Sequence, residues 1–216
     1  MRRLIALGAV AVIVVVLVVA QLVLPGVAAH LLRDRLSRSG RVLSVEVDAF
    51  PAIQLLWHHA DKVVIRMGQY RSVPADLPAT LRQADDVGTL DASAQEFTDG
   101  LLTVHNTRLV KDGNQLKASA TVNEGDLRSA VPILTSVTPV ASQDGRLTLR
   151  GTASLFGFTG SVDATVSPQN GKLVMAPDLP FFPTLTLFSG RGISVQSVSA
   201  SPVPGGFSVH GTATLH

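Results

Sequence analysis

The chain has 216 residues, 46% of them hydrophobic, with 18 basic against 16 acidic side chains and a formal net charge of +2. Setting aside Arg2 and Arg3 leaves as many basic as acidic residues, so no broad basic face for nucleic acid is expected. There is no cysteine, which excludes disulfides, thiolate metal sites, cysteine nucleophiles and a lipidated cysteine anchor.

Leu4 to Leu24 is an uncharged apolar run broken only by Gly8 and Gln21. As a helix it spans about 30 Å, the thickness of a bilayer's hydrocarbon core, which predicts a transmembrane anchor over residues 1–26 and a single domain over residues 27–216. A secretory signal also opens with Arg2-Arg3 and an apolar stretch, and Val27 and Ala29 stand in the relation of a cleavage site, so retention and removal both stay open, length favouring retention. Export places the C-terminal domain at the cell membrane, outside the cytoplasm, because folded domains translocate largely regardless of charge.

Pro25-Gly26 is expected to end this helix, proline and glycine being poor continuers. Val27 to Ser39 then predicts a second helix, with Ala28, Leu32 and Leu36 on one stripe and Gly40 at its C-terminal cap. Arg33, Arg35 and Arg38 lie mostly off that stripe, where they can rest on anionic headgroups; the alternative is a helix that packs its leucines on the domain and solvates its charges.

Val42 to Asp48 alternates as a half-buried strand and stops at Phe50-Pro51. Ala52 to His59 follows as a short helix that groups Ile53, Leu56 and Trp57, and Lys62 to Gln69 as a second strand. Arg71 to Gly100 is acidic and weakly patterned, with a strand or short helix expected around Pro78 to Ala84. Beyond it, glycine turns punctuate strands at Leu101 to Val110, Gln115 to Val122, Arg146 to Leu155, Ser161 to Ser167, Lys172 to Ala176, Ile193 to Ala200 and Phe207 to Leu215. Asp126 is placed to cap a short helix before Pro132. Two strands echo one another, Gly145-Arg-Leu-Thr-Leu-Arg-Gly-Thr-Ala-Ser-Leu155 and Gly206-Phe-Ser-Val-His-Gly-Thr-Ala-Thr-Leu215, and their internal glycines, Gly151 and Gly211, suggest a bulge or bend in a curved sheet.

No catalytic constellation emerges: the zinc-protease, phosphate-loop, dinucleotide and nucleophile-elbow motifs are all lacking. His58-His59-Ala60-Asp61 is the densest set of possible metal ligands, but adjacent histidines diverge on a helix or a strand, and neither a metal nor another cofactor is expected. Apolar surface is more suggestive. Phe156-Gly157-Phe158 and Leu179-Pro180-Phe181-Phe182-Pro183 place paired aromatics where a solvent-facing turn is not expected. Either these rings plug the core or they line a slot for an acyl chain, and Trp57 with Ile53 and Leu56 fits both roles.

The order of features resembles the actinobacterial LmeA-like phospholipid-binding family: an apolar N-terminus, a helix, the strand Val42 to Val47, Phe50-Pro51 with a short apolar helix, Val63-Val64-Ile65, Leu116-Lys-Ala-Ser-Ala-Thr-Val122, and Asp126-Leu127 opening a helix. The family's Phe-Pro-Phe-Leu is here Phe50-Pro51-Ala52-Ile53, without the second aromatic. The resemblance implies an exported cell-envelope protein that binds membrane phospholipid without catalysis, built as a long curved sheet similar to tubular lipid-binding domains.

The fold expected is therefore α+β: a transmembrane helix, then a mostly antiparallel, strongly curved sheet packed on one or two helices. Phe50, Ile53, Leu56, Trp57, Phe156, Phe158, Phe181 and Phe182 are the expected lipid contacts. The rival expectation is a tethered, β-rich structural or protein-interaction module with a filled core.

Overall fold

A computed structural model describes residues 2–57, 59–72, 86–99, 102–130, 134–155, 158–178, 183–190 and 192–216, without side chains for 2–17, 53, 56, 57 and several strand-end residues. Helix α1 (Arg2–Ser37) is followed by β1 (Gly40–Asp48), a 3-10 helix (Ala52–Trp57), β2 (Ala60–Ser72), β3 (Val87–Asp99), β4 (Leu102–Asp112), β5 (Gln115–Asn123) and helix α2 (Glu124–Ala130). Then come β6 (Leu134–Gln143), β7 (Arg146–Leu155), β8 (Phe158–Gln169), β9 (Lys172–Pro177), β10 (Leu185–Phe188), β11 (Ile193–Val203) and β12 (Gly206–Leu215).

Alternation alone predicts one curved sheet; the strands divide into two. Seven form a large sheet in the order β1-β2-β3-β4-β5-β12-β11, and five a small one in the order β10-β9-β8-β7-β6. Among the described residues every pairing is antiparallel except β2 with β3, which run parallel. The C-terminal strand β12 lies inside the large sheet, between β5 and β11.

Helix α1 does not end at Pro25-Gly26; it runs through both to Ser37, so no second helix begins at Val27. Proline in a helix removes one amide donor, here the one that would serve the Gln21 carbonyl. Tertiary contacts compensate. Ala28, Ala29 and Leu32 pack on a core of Val47, Ala60, Val63 and Leu90 at the β1–β3 side of the large sheet. Among the described residues no helix is long and apolar enough to cross a membrane, and most of the Leu4–Leu24 run lies outside the described side chains.

Several local expectations are corrected. The short helix after Phe50-Pro51 is of 3-10 type and stops at Trp57. The stretch before Gly100 holds β3, a strand of 13 residues, while the element expected around Pro78 to Ala84 lies outside the described residues. β3 alternates correctly, Leu90, Ala92 and Ala94 against Asp91 and Ser93, but alanines give a faint hydrophobic signal. Helix α2 starts at Glu124, putting Asp126 in its first turn, where it meets His105 of β4 at 2.8 Å. Gly160 lies within β8 instead of before it. Neither Gly151 nor Gly211 bulges its own strand; the irregularity nearest Gly211 belongs to β11, between Val195 and Ser197, opposite Ala213 and Thr212. Strands β6 and β10 escape sequence patterning, β6 because it carries Pro139, which an edge strand tolerates.

The small sheet is attached through its turns. Asp144-Gly145 and Asn170-Gly171 both have positive φ at each residue, 52° and 71°, and 50° and 74°, the pairing that suits two-residue hairpins. Each turn glycine then meets the free edge of β11: the Gly145 carbonyl accepts from the Val198 amide and the Gly171 carbonyl from the Val195 amide, both at 2.9 Å. A Cβ on Gly145 would lie 3.1 Å from Ser197 Cβ, and one on Gly171 3.1 Å from Ser194 Oγ. Behind these bonds the sheets share a core of Val122, Leu147, Val166, Val198, Ala200 and Phe207. Gly171→Val combines left-handed strain with that close approach, and it is expected to cost about 1–3 kcal/mol in urea unfolding, whereas Gly113→Ala, with nothing within 4 Å of its Cβ, bears the φ strain alone and should cost less.

Candidate functional site

Two covers sit on the same face of the large sheet, α1 over β1–β3 and the small sheet over β11 and β12. They do not meet. The gap between them is an apolar groove of about 480 Å³, within the size range of small-molecule sites. Leu36 of α1 stands on one side, Leu173 of β9 and Phe188 of β10 on the other. Its floor is made of small residues: Ala92 and Ala94 on β3, Ala118 and Ala120 on β5, Gly211 and Ala213 on β12. Larger side chains at those positions would reach the covers; alanine and glycine leave the space open.

Tyr70 and Phe97 stack along the groove with ring centroids 5.6 Å apart and planes 20° from parallel, near Val104. At the other end of the strands, Leu116, Ile193 and Leu215 are buried and pack with Leu109 and Phe188. The polar groups along the groove are mainly hydroxyls, and two of them, Ser197 and Thr212, satisfy each other at 2.6 Å. Arg108 is the one charged residue along it among the described residues, and its guanidinium is engaged by Asp91.

Asp91 points to the opposite face from Leu90 and Ala92, as strand periodicity requires. There it receives Arg66 from β2 at 2.8 Å and Arg108 from β4 at 3.1 Å, a staple across three strands beneath the groove floor. Hydrogen bonding from Arg66, aided by Arg108, holds the Asp91 carboxyl below its ordinary 3.8 against the opposing effect of partial burial. The same bond raises Arg66. Arg150 and Asp163 form a comparable pair between β7 and β8, at 2.7 Å, that lowers Asp163.

Most of the expected lipid contacts fall outside what is described: Phe156, Phe181 and Phe182 altogether, and Ile53, Leu56, Trp57 and Phe158 as side chains. Phe50 is described, and it is 78% exposed, away from the groove. Arg33, Arg35 and Arg38 are exposed along and just past the C-terminal half of α1. His59 faces Asp86 at 3.9 Å, and among the described residues no cluster of three potential metal ligands occurs. The aromatic residues that line the groove, Tyr70, Phe97 and Phe188, were not singled out by sequence. The available signal was an alternation of unusually small residues, as in Leu116, Ala118, Ala120 and Val122.

Comparison of the chain with protein-family models, with curated proteins and with solved structures finds no match.

Asp91 supplies a test of the staple. A depressed carboxyl pKa stabilises the fold above its ordinary value near 3.8, and the contribution is lost as pH falls through the lower folded value. Asp91→Asn should therefore lose on the order of 1 kcal/mol at neutral pH, discounted for the partial exposure of the arginines. Urea titrations should show the gap between wild type and variant holding from pH 7 to about 4 and closing only below that.

Proposed function

We propose that this chain is a membrane-tethered, noncatalytic lipid-binding protein of the cell envelope that shelters phospholipid acyl chain in the groove between α1 and the small sheet. The observation that carries the reading is the floor of Ala92, Ala94, Ala118, Ala120 and Gly211, which leaves about 480 Å³ of apolar space where a filled core would place bulk. Each methylene leaving water for such a lining contributes about 0.8 kcal/mol. With no unpaired charge along the described lining, the groove suits hydrocarbon, and the headgroup stays outside it. The uncharged run from Leu4 to Leu24 supports the tether, and the resemblance of the motif order to LmeA-like proteins supports the ligand class.

One feature favours a second reading, a tethered protein-interaction module: β10 is an edge strand with Leu185 and Leu187 about half exposed.

The test is photocrosslinking of the full chain in nanodiscs with a phospholipid carrying a diazirine in its acyl chain. Label is expected on peptides of β5 and β12. Gly211→Leu, whose Cβ meets only the Ser197 carbonyl at 3.6 Å, and Ala118→Phe should fill the groove and reduce that label several-fold, with unfolding shifted by less than about 1 kcal/mol. Label confined to the N-terminal helix would overturn the lipid reading and leave the interaction module.

A further inference from the structure

Gln21 interrupts the apolar run of α1, and both ends of its side-chain amide are used. Its Nε2 donates to the Ala49 carbonyl at 3.0 Å, and its Oε1 accepts from the Ala52 amide at 2.7 Å. These two backbone groups bracket Phe50-Pro51, so the turn is clamped at one level along the helix. A further bond, from the Phe50 amide to the Asp61 carboxylate, ties the turn to the start of β2. Ala49 and Ala52 are buried by this arrangement, at 5% and 1% exposure, yet the ring between them is 78% exposed. A well-held backbone thus presents a bare aromatic side chain.

The helix around Gln21 does the same. Val18, Val19, Leu22 and Val23 are all more than half exposed, and the chain from Leu4 to Ala20 carries no charge, which at the helical rise is about 25 Å of apolar helix. Such a surface, continuous with a long uncharged segment, is what a lipid surface covers.

We propose that the Phe50-Pro51 turn is a second membrane contact, its ring entering the interfacial layer of the bilayer that holds the apolar part of α1, at the depth that Gln21 sets. This rests on the tethered reading above. It also changes the role expected of the arginines: Arg33 lies twelve residues beyond Gln21, about 18 Å further along the helix, so an upright α1 carries Arg33, Arg35 and Arg38 past the headgroups. Anchoring falls to an aromatic ring and not to basic charge.

The absence of cysteine permits a direct test. Phe50→Cys, at an exposed position, is labelled with the fluorophore NBD in the full chain and reconstituted into vesicles of phosphatidylethanolamine and phosphatidylglycerol. Ser201→Cys, exposed near the opposite end of the large sheet, serves as the control. Position 50 should brighten two- to fourfold and be quenched by lipids brominated near the headgroup, with position 201 unchanged. Gln21→Leu in the Phe50→Cys chain should reduce the brightening without reducing flotation with the vesicles. A chain that floats while position 50 stays as dim as position 201 overturns the contact and leaves the tether standing. A chain that does not float overturns both. Neither result touches the groove, which the crosslinking reads separately.

Discussion

The arrangement depends on two glycine turns seated on the edge of one strand. β11 ends the large sheet and would otherwise present unpaired amides to solvent, a template for pairing with other strands. The carbonyls of Gly145 and Gly171 take its Val198 and Val195 amides, and a residue without a Cβ combines that approach with positive φ at the least strain. The seat determines where the small sheet stands, and with it one wall of the groove. Side-chain burial across Val122, Leu147, Val166 and Phe207 supplies the bulk of the adhesion, but hydrophobic contact is non-directional. The turns supply the direction.

The opposite wall is held by other means. Helix α1 lies on β1–β3 through Ala28, Ala29 and Leu32, and its small side chains let it approach closely, while Gln21 fixes it lengthwise against the Phe50-Pro51 turn. Under the floor, the Asp91 staple secures β2, β3 and β4, where the parallel pair has no hairpin to set its register. Three dissimilar devices, edge capping, an amide clamp and a charge cluster, thus fix the boundaries of a space that no device fills.

Much of the strand framework was legible in the sequence, because β1, β2, β5, β7, β9 and β12 announce themselves by alternation and by glycine turns. The two hairpin turns at Asp144-Gly145 and Asn170-Gly171 were equally plain. Three strands were not, for separate reasons: β3 hides behind alanines and acidic residues, β6 contains Pro139, and β10 has only four residues. The continuity of α1 through Pro25 is a tertiary effect that local propensity opposes. The groove was the hardest part to read. The space is marked by a lack of bulk at Ala92, Ala118 and Gly211, residues brought together only by pairings distant in sequence, and a run of small side chains is a quieter signal than a ring beside a proline.

The placement of β12 bears on how the molecule is made. The ten residues of β12 do not decorate an edge; they fill a slot between β5 and β11, with Phe207 opposite Val122 and Gly211 opposite Ala118. Until they arrive, the large sheet is two unjoined fragments, and the turns of the small sheet have a partner strand that is itself unanchored. Closure of the large sheet therefore waits on β12, and a chain stopped short of Gly206 carries most of the lining with nothing to hold its halves together.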